Sequence, residues 1–165
     1  MKMAFEDEAG ASLPFGYFDP LRLSKGIDQE KFDRYRTVEL KHGRIAQLAV
    51  VGYVVPEIFK FSGNIAPGIP FQSIPNGLAA LDAVPNLGWF QIFFLIGAVD
   101  YWGFLGDFEF GKLGGKTPEE LKKAQTQELN HGRLAMLAIL ELMRHDYTNF
   151  PDTGHLITGL PFLYN

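Results

Sequence analysis

The chain of 165 residues contains no cysteine, so a disulfide framework and a thiolate metal centre are both excluded. Charge is scarce at 21% of residues, and its balance of -4 leaves no basic footprint for nucleic acid. The opening "MKMAFEDEAG" lacks an apolar core of signal-peptide length. No residue set reads as a nucleophile with its base and oxyanion donors, so the sequence points away from an enzyme. Abundant instead are apolar residues, at 47%, and phenylalanine, with 15 copies, in a length suited to one domain, 1–165.

Those apolar residues gather in three stretches separated by breaks rich in Pro, Gly and Asn. Residues 1 to about 30 read as an irregular lead. Asp28 is placed to cap a first helix, expected over about 35–59 and ended by Pro56 and "FSGNIAPGIP". Residues 61–87 read as loop, with one short helix in "IPNGLAALDAVPN". The middle stretch, "LGWFQIFFLIGAVDYWGFLG", is long enough at about 1.5 Å per residue to cross a bilayer core of about 30 Å. Its expected span is about 87–105, with Gln91 and Asp100 its two strongly polar side chains and Trp89 and Trp102 near its ends. Thr117, Pro118, Glu119 and Glu120 form a helix start, and the third helix is expected over about 118–145. The tail reads as irregular, with one short turn around His155 to Leu160.

The first and third helices carry nearly the same text, "ELKHGRIAQLAV" from Glu39 and "ELNHGRLAMLAI" from Glu128. His42 and His131 differ by 131 - 42 = 89 positions, too far for a solenoid unit, so one helix has been duplicated with a span between the copies. Lys31, Arg34 and Arg36 lie before one copy, and Lys116, Lys122 and Lys123 before the other, which puts both starts on one side of a membrane. The expected fold is an all-α membrane protein with three transmembrane helices. The first and third would cross and be related by a pseudo-two-fold along the membrane normal.

Glu39 and His42 share a helix face, as do Glu128 and His131, whereas Arg44 and Arg133 point elsewhere. A lone charge in a bilayer needs a partner. Two-fold symmetry therefore predicts Glu39 with Arg133 and Glu128 with Arg44, and Gly43, Ala46, Gly132 and Ala135 would let the backbones approach. The histidines and spare carboxylate oxygens suit metal ligation of one of two kinds. A dinuclear iron or manganese carboxylate enzyme would supply Glu-x-x-His from two helices, but it needs further Glu ligands where the middle helix offers only Asp100. Axial ligation of magnesium, a hard cation, in a pigment would use the same donors without that second half.

The doubled "ELKHGRIAQLAVVGY" and "ELNHGRLAMLAILELMRH" resemble the Glu-x-x-His/Asn-Gly-Arg signature of the light-harvesting chlorophyll-binding proteins of plastid thylakoid membranes. "FGYFDPLRL", "KFDRYRTVELKHGR" and "IPNGLAAL" are similar to the chlorophyll a/c branch, the fucoxanthin– and peridinin–chlorophyll proteins. "VVPEIFKF" and "LITGLPFLY" lean to the peridinin type. The resemblance implies chlorophyll magnesium ligation by Glu39, His42, Glu128, His131 and His145, and a ligating backbone carbonyl at Gly52. His131 stands where the family often has Asn or Gln. His145 lies fourteen residues past His131, about 21 Å along the axis on nearly the same face. Gln91, Asp100 and Gln47 would be further pigment contacts, although the family usually has Glu near Asp100. Asp19 in "FDPL" is expected either to cap a turn or to touch a carotenoid head group.

The cofactors implied are chlorophyll a, chlorophyll c and carotenoids: peridinin or fucoxanthin, with a diadinoxanthin-type xanthophyll. Implied partners are a photosystem core, neighbouring antenna subunits and membrane lipids. The implied function is light harvesting by a multi-pass thylakoid protein. A photoprotective relative that senses lumenal acidity is the alternative, although residues 60–88 hold only Asp82 as an acid.

Overall fold

A computed structural model describes residue 5, residues 8–101 and residues 117–153, with backbone alone for 149–153. Trp102, Lys116 and the turn expected from His155 to Leu160 lie outside the described residues, as does the end of the middle span beyond 101. The described residues are mostly helical: α1 (Gln29–Ile58), α2 (Ala80–Ala83), α3 (Asn86–Tyr101) and α4 (Pro118–Thr153).

Helices α1 and α4 begin where their capping chemistry dictates. The Asp28 carboxylate accepts the Lys31 N–H at 3.0 Å, so α1 starts at Gln29, six residues before the expected 35. At α4 the Glu120 N–H donates to Thr117 Oγ1 at 3.3 Å and the Thr117 N–H to Glu120 Oε2 at 3.0 Å, a reciprocal capping box. Helix α1 continues two residues past Pro56 and ends at Ile58. Helix α4 runs to Thr153 rather than 145: "DYTNF" holds no Gly or Pro, and the helix carries on through Pro151.

The stretch read as loop contains more order than expected. Strands β1 (Asn64–Ala66) and β2 (Ile69–Pro70) pair antiparallel, with Ala66 opposite Ile69. Pro67 followed by Gly68 at φ +83° supplies the residues a type II turn requires. Short 3-10 turns at Phe71–Ser73 and Gly77–Ala79 lead into α2. The Trp89 indole N–H then donates to the Leu81 carbonyl at 3.1 Å, tying α2 to the start of α3.

The chain divides into two compact units, one of Met1–Gln47 with Phe110–Leu137 and one of Leu48–Glu109 with Ala138–Asn165. In the first unit, Phe5 stacks on Phe32 with ring centroids 4.0 Å apart, and Leu129, Ala46 and Ala135 are buried. These five are the buried apolar residues among those described, a very small core for a chain of this length. In the second unit α3 buries no residue, and Phe90, Phe93, Phe94, Leu95 and Ile96 are all exposed. An apolar surface of this extent marks an interaction face.

Among the described residues, no single helix is long and apolar enough to cross a membrane. The bent pair Gly77–Ala83 and Asn86–Tyr101 meets the criterion together, with a 110° break. The physical reasons differ by helix. Charged residues punctuate α1 and α4, while the 16 described residues of α3 rise only about 24 Å.

Candidate functional site

The repeated clusters meet in the first unit, where α1 and α4 cross glycine on glycine. A Cβ at Gly43 would stand 2.8 Å from the Gly132 Cα, and one at Gly132 would stand 2.9 Å from the Gly43 Cα. No side chain fits there, so the backbones approach as closely as glycine allows. On either side of this contact the charges pair between helices. Arg133 Nε donates to Glu39 Oε1 at 2.8 Å. Arg44 reaches Glu128 Oε1 with Nε at 2.8 Å and Nη2 at 2.7 Å. Each carboxylate is thus neutralised by the other copy, and its lone-pair capacity exceeds what one guanidinium uses.

The two pairs are not equivalent. Arg133 also donates from Nη1 to the Gly10 carbonyl at 2.7 Å. Gly10 is held by its own N–H to Thr126 Oγ1 at 3.1 Å, and Ser12 and Asn130 hydrogen-bond beside it. With φ +92°, Gly10 sits where a Cβ would lie 2.6 Å from Arg36 Nη1 and 2.8 Å from Leu129 Cδ1. The N-terminal segment therefore covers Arg133, and the Arg133–Glu39 side chains are less exposed, at 39% and 31%, than Arg44–Glu128 at 49% and 39%.

The histidines share one geometry. His42 Nδ1 lies 2.8 Å from the Val38 carbonyl, and His131 Nδ1 lies 2.8 Å from the Gln127 carbonyl. A carbonyl only accepts, so Nδ1 carries the proton in both and the lone pair of the neutral ring is on Nε2. Both rings are exposed. A ring held through Nδ1 on an exposed residue leaves Nε2 as its donor atom for a metal. Each copy of the cluster thus offers an imidazole nitrogen and a carboxylate held by the opposite helix. That donor set fits a hard dication whose other ligands come from a macrocycle.

In the second unit, Gly52 gains meaning from Pro56. The residue four positions after Gly52 in α1 has no N–H, so the Gly52 carbonyl lacks its intrahelical donor. Gly52 is exposed, and a Cβ there would meet nothing within 4 Å. It borders an apolar cleft of about 310 Å³ with Pro56, Phe59, Phe71 and Asn76 on its walls. The Asn76 Oδ1 is buried there without a hydrogen-bond partner. His145 is half-buried on the same unit's part of α4. Gln91 and Asp100 are exposed on α3, and Gln47 is half-buried on α1 within the first unit.

Asp19 takes the turn role. Its Oδ1 accepts the Leu23 N–H at 2.9 Å, and its Oδ2 accepts the Ser24 N–H at 2.9 Å and the Ser24 hydroxyl. The Ser24 hydroxyl, followed by the Ser24 amide, holds the Asp19 carboxyl below the ordinary aspartate range. Both oxygens are engaged inside "DPLRLS", and Arg22 at φ 54° closes the loop.

Sequence reasoning missed Tyr53, Asp146 and Gly10. Asp146 is the one buried charged side chain among the described residues, at 4% exposure. Nothing in "RHDYT" marks it. The Gly52–Pro56 spacing, in contrast, was available in the sequence as a missing donor.

A helix crossing locked by two exchanged Glu–Arg pairs, with an exposed imidazole on each helix, fits a pigment-binding class of helical protein. The chain matches the family described as chlorophyll A-B binding protein over residues 5–147, and it belongs to that family. It is 51% identical to fucoxanthin-chlorophyll a-c binding protein A, chloroplastic, of Phaeodactylum tricornutum, covering 87% of this chain and 81% of the relative. The B protein of the same organism is 46% identical, over 87% of this chain and 80% of its own length. Fucoxanthin-chlorophyll a-c binding protein B, chloroplastic, of Macrocystis pyrifera is 38% identical across 100% of this chain and 83% of the relative.

Proposed function

We propose that the chain is a light-harvesting antenna protein of the plastid thylakoid membrane, a single domain that binds chlorophyll a, chlorophyll c and carotenoid and passes excitation to a photosystem. The observation that carries this reading is the doubled site: two imidazoles with Nδ1 tied to the preceding turn and Nε2 outward, beside carboxylates neutralised by the opposite helix. The curated relatives named above carry fucoxanthin, not peridinin, in their names, which favours fucoxanthin here.

Chlorophyll and carotenoid supply absorption and excitation transfer, and carotenoid also quenches chlorophyll triplets. The protein holds and orients them. Glu39, His42, Glu128, His131 and His145 offer magnesium ligands, and the Gly52 carbonyl, deprived of a donor by Pro56, offers another. Gln91, Asp100 and Gln47 are additional polar contacts. Asp19 shapes the turn that a carotenoid head group would meet. The α1, α3 and α4 helices are the three membrane spans, with α1 and α4 as the two-fold pair, and the apolar face of α3 meets lipid or pigment. Photosystem core and neighbouring antenna subunits are the partners of such a protein.

The test is purification from the native membrane or reconstitution with extracted pigments, followed by acetone extraction and an absorption spectrum. Chlorophyll a, chlorophyll c and fucoxanthin in fixed ratio are expected, with His42→Leu and His131→Leu each losing about one chlorophyll. A colourless extract with bound iron would favour the dinuclear enzyme. Among the described residues, however, no three His, Asp or Glu side chains cluster as such a centre needs. Strong fluorescence quenching of the isolated protein between about pH 7 and about pH 5 would favour the photoprotective relative.

A further inference from the structure

Three segments of the second unit meet on one oxygen atom. Asp146 Oδ2, near the end of α4, accepts the Tyr53 hydroxyl from α1 at 2.6 Å and the Leu78 N–H at 2.6 Å. Leu78 belongs to the 3-10 turn before α2, and the preceding Gly77, at φ +67°, lets that turn close on the acid. A Cβ at Gly77 would fall 2.9 Å from the Asp146 carboxyl carbon, so only glycine permits the approach. A buried carboxylate is costly unless satisfied, and here a phenol and a backbone amide satisfy it with charge-assisted bonds.

The sequence neighbours of this clasp are the two proposed ligands of the same unit. Tyr53 follows Gly52, whose carbonyl has lost its i+4 donor to Pro56, and Asp146 follows His145. Successive helical residues are turned by about 100°, so a residue beside a clasped one is fixed in direction without being occupied by the clasp. We propose that Asp146, acting through Tyr53 and the Leu78 amide, is a positioning residue that sets the mutual placement of the pigments held at Gly52 and His145. This rests on the proposed pigment-binding function. The clasp spans a short side chain, a rigid phenol and a backbone amide. It therefore fixes distance more tightly than a flexible Lys–Glu pair of the same reach.

The experiment compares wild type with Tyr53→Phe, Asp146→Asn, Asp146→Leu and His145→Leu, each reconstituted with chlorophyll a, chlorophyll c and fucoxanthin. The readouts are pigment stoichiometry, pigment retention on dilution, thermal unfolding and visible circular dichroism, which reports pigment–pigment geometry. His145→Leu defines the signal of its pigment by difference. Tyr53→Phe removes a single oxygen atom and keeps the ring packing. It is expected to displace that difference signal and weaken retention of that pigment by about 10-fold, while the pigments at His42 and His131 stay. Asp146→Leu should do the same more severely. Asp146→Asn, which keeps an acceptor oxygen, should restore most of the wild-type dichroism.

An unchanged His145 signal in Tyr53→Phe overturns the positioning role. So does a uniform loss of all pigments that merely tracks a lowered unfolding temperature. Should His145→Leu itself leave pigment content and spectrum untouched, the ligand assignment has failed, and the positioning role with it. A lost His145 pigment with a normal Tyr53→Phe spectrum condemns the clasp alone.

Discussion

Gly43 and Gly132 touch backbone to backbone, and the space between them is too small for a single methyl group in either direction. This contact sets how closely α1 and α4 approach, and hence whether Glu39 and Glu128 come within reach of the opposite arginines. Gly43→Ala or Gly132→Ala should force the helices apart at a cost of about 1–3 kcal/mol. Both ion pairs should lengthen together. Thermal unfolding of the reconstituted protein checks this, and an unchanged midpoint in both variants would mean that the crossing tolerates separation.

The exchange of charges between helices makes an unusual prediction about distance along the chain. Arg44→Leu should disturb the pigment proposed at Glu128, on the other helix, more than the one proposed at His42, two residues away. Pigment stoichiometry and difference spectra against Glu128→Leu and His42→Leu give the comparison. Retention of the Glu128 pigment in Arg44→Leu would sink the exchanged arrangement.

The two arginines should not be equally sensitive. Arg133 holds the Gly10 carbonyl as well as Glu39, whereas Arg44 holds Glu128 on a more exposed flank. Arg133→Leu should therefore lower the unfolding temperature more than Arg44→Leu and should also release the N-terminal segment. Limited proteolysis near Gly10 reads the second effect. Equal cleavage of the two variants would count against it.

Pro56→Ala should return an N–H to the Gly52 carbonyl. The helix gains a hydrogen bond worth about 1 kcal/mol net, and the pigment proposed at Gly52 should lose its ligand. The expected result is a more stable apoprotein with one fewer chlorophyll. Full pigment content in this variant would show that the carbonyl is not the ligand.

Asp19 gives a pH dependence with a definite sign. Its carboxyl is lowered in the folded chain, so its hydrogen bonds to Leu23 and Ser24 contribute fully above the ordinary aspartate value of about 4. The contribution is lost as pH falls through the lowered folded value. Amide exchange at Leu23 and Ser24 should accelerate in Asp19→Asn. In the wild type, protection at those amides beyond the intrinsic rate should decline only in the acid limb. Protection that is independent of pH down to about 2 would contradict it.

Read along the chain, the sequence by itself determined the caps of α1 and α4, which residues pair across the repeat and which nitrogens and carbonyls are available. Asp28 and Thr117 cap because their side chains reach the next turn. His42 and His131 bond four residues back, and Pro56 removes a donor four residues ahead. All of these are local, and local geometry follows from residue type. The Glu39–Arg133 and Glu128–Arg44 exchange was legible too, because a doubled motif in an apolar setting leaves each charge one complementary partner.

The tertiary structure alone decided the rest. The docking of Gly10 on Arg133 and the clasp of Asp146 on Tyr53 and Leu78 join segments whose sequences carry no complementary mark. Asp146 in "RHDYT" reads as a solvated acid near a helix end. It is buried because the chain brings a phenol and a free amide to it from 93 and 68 residues away. A hydrogen bond of that kind depends on the positions of three backbones at once, which no spacing in one segment encodes.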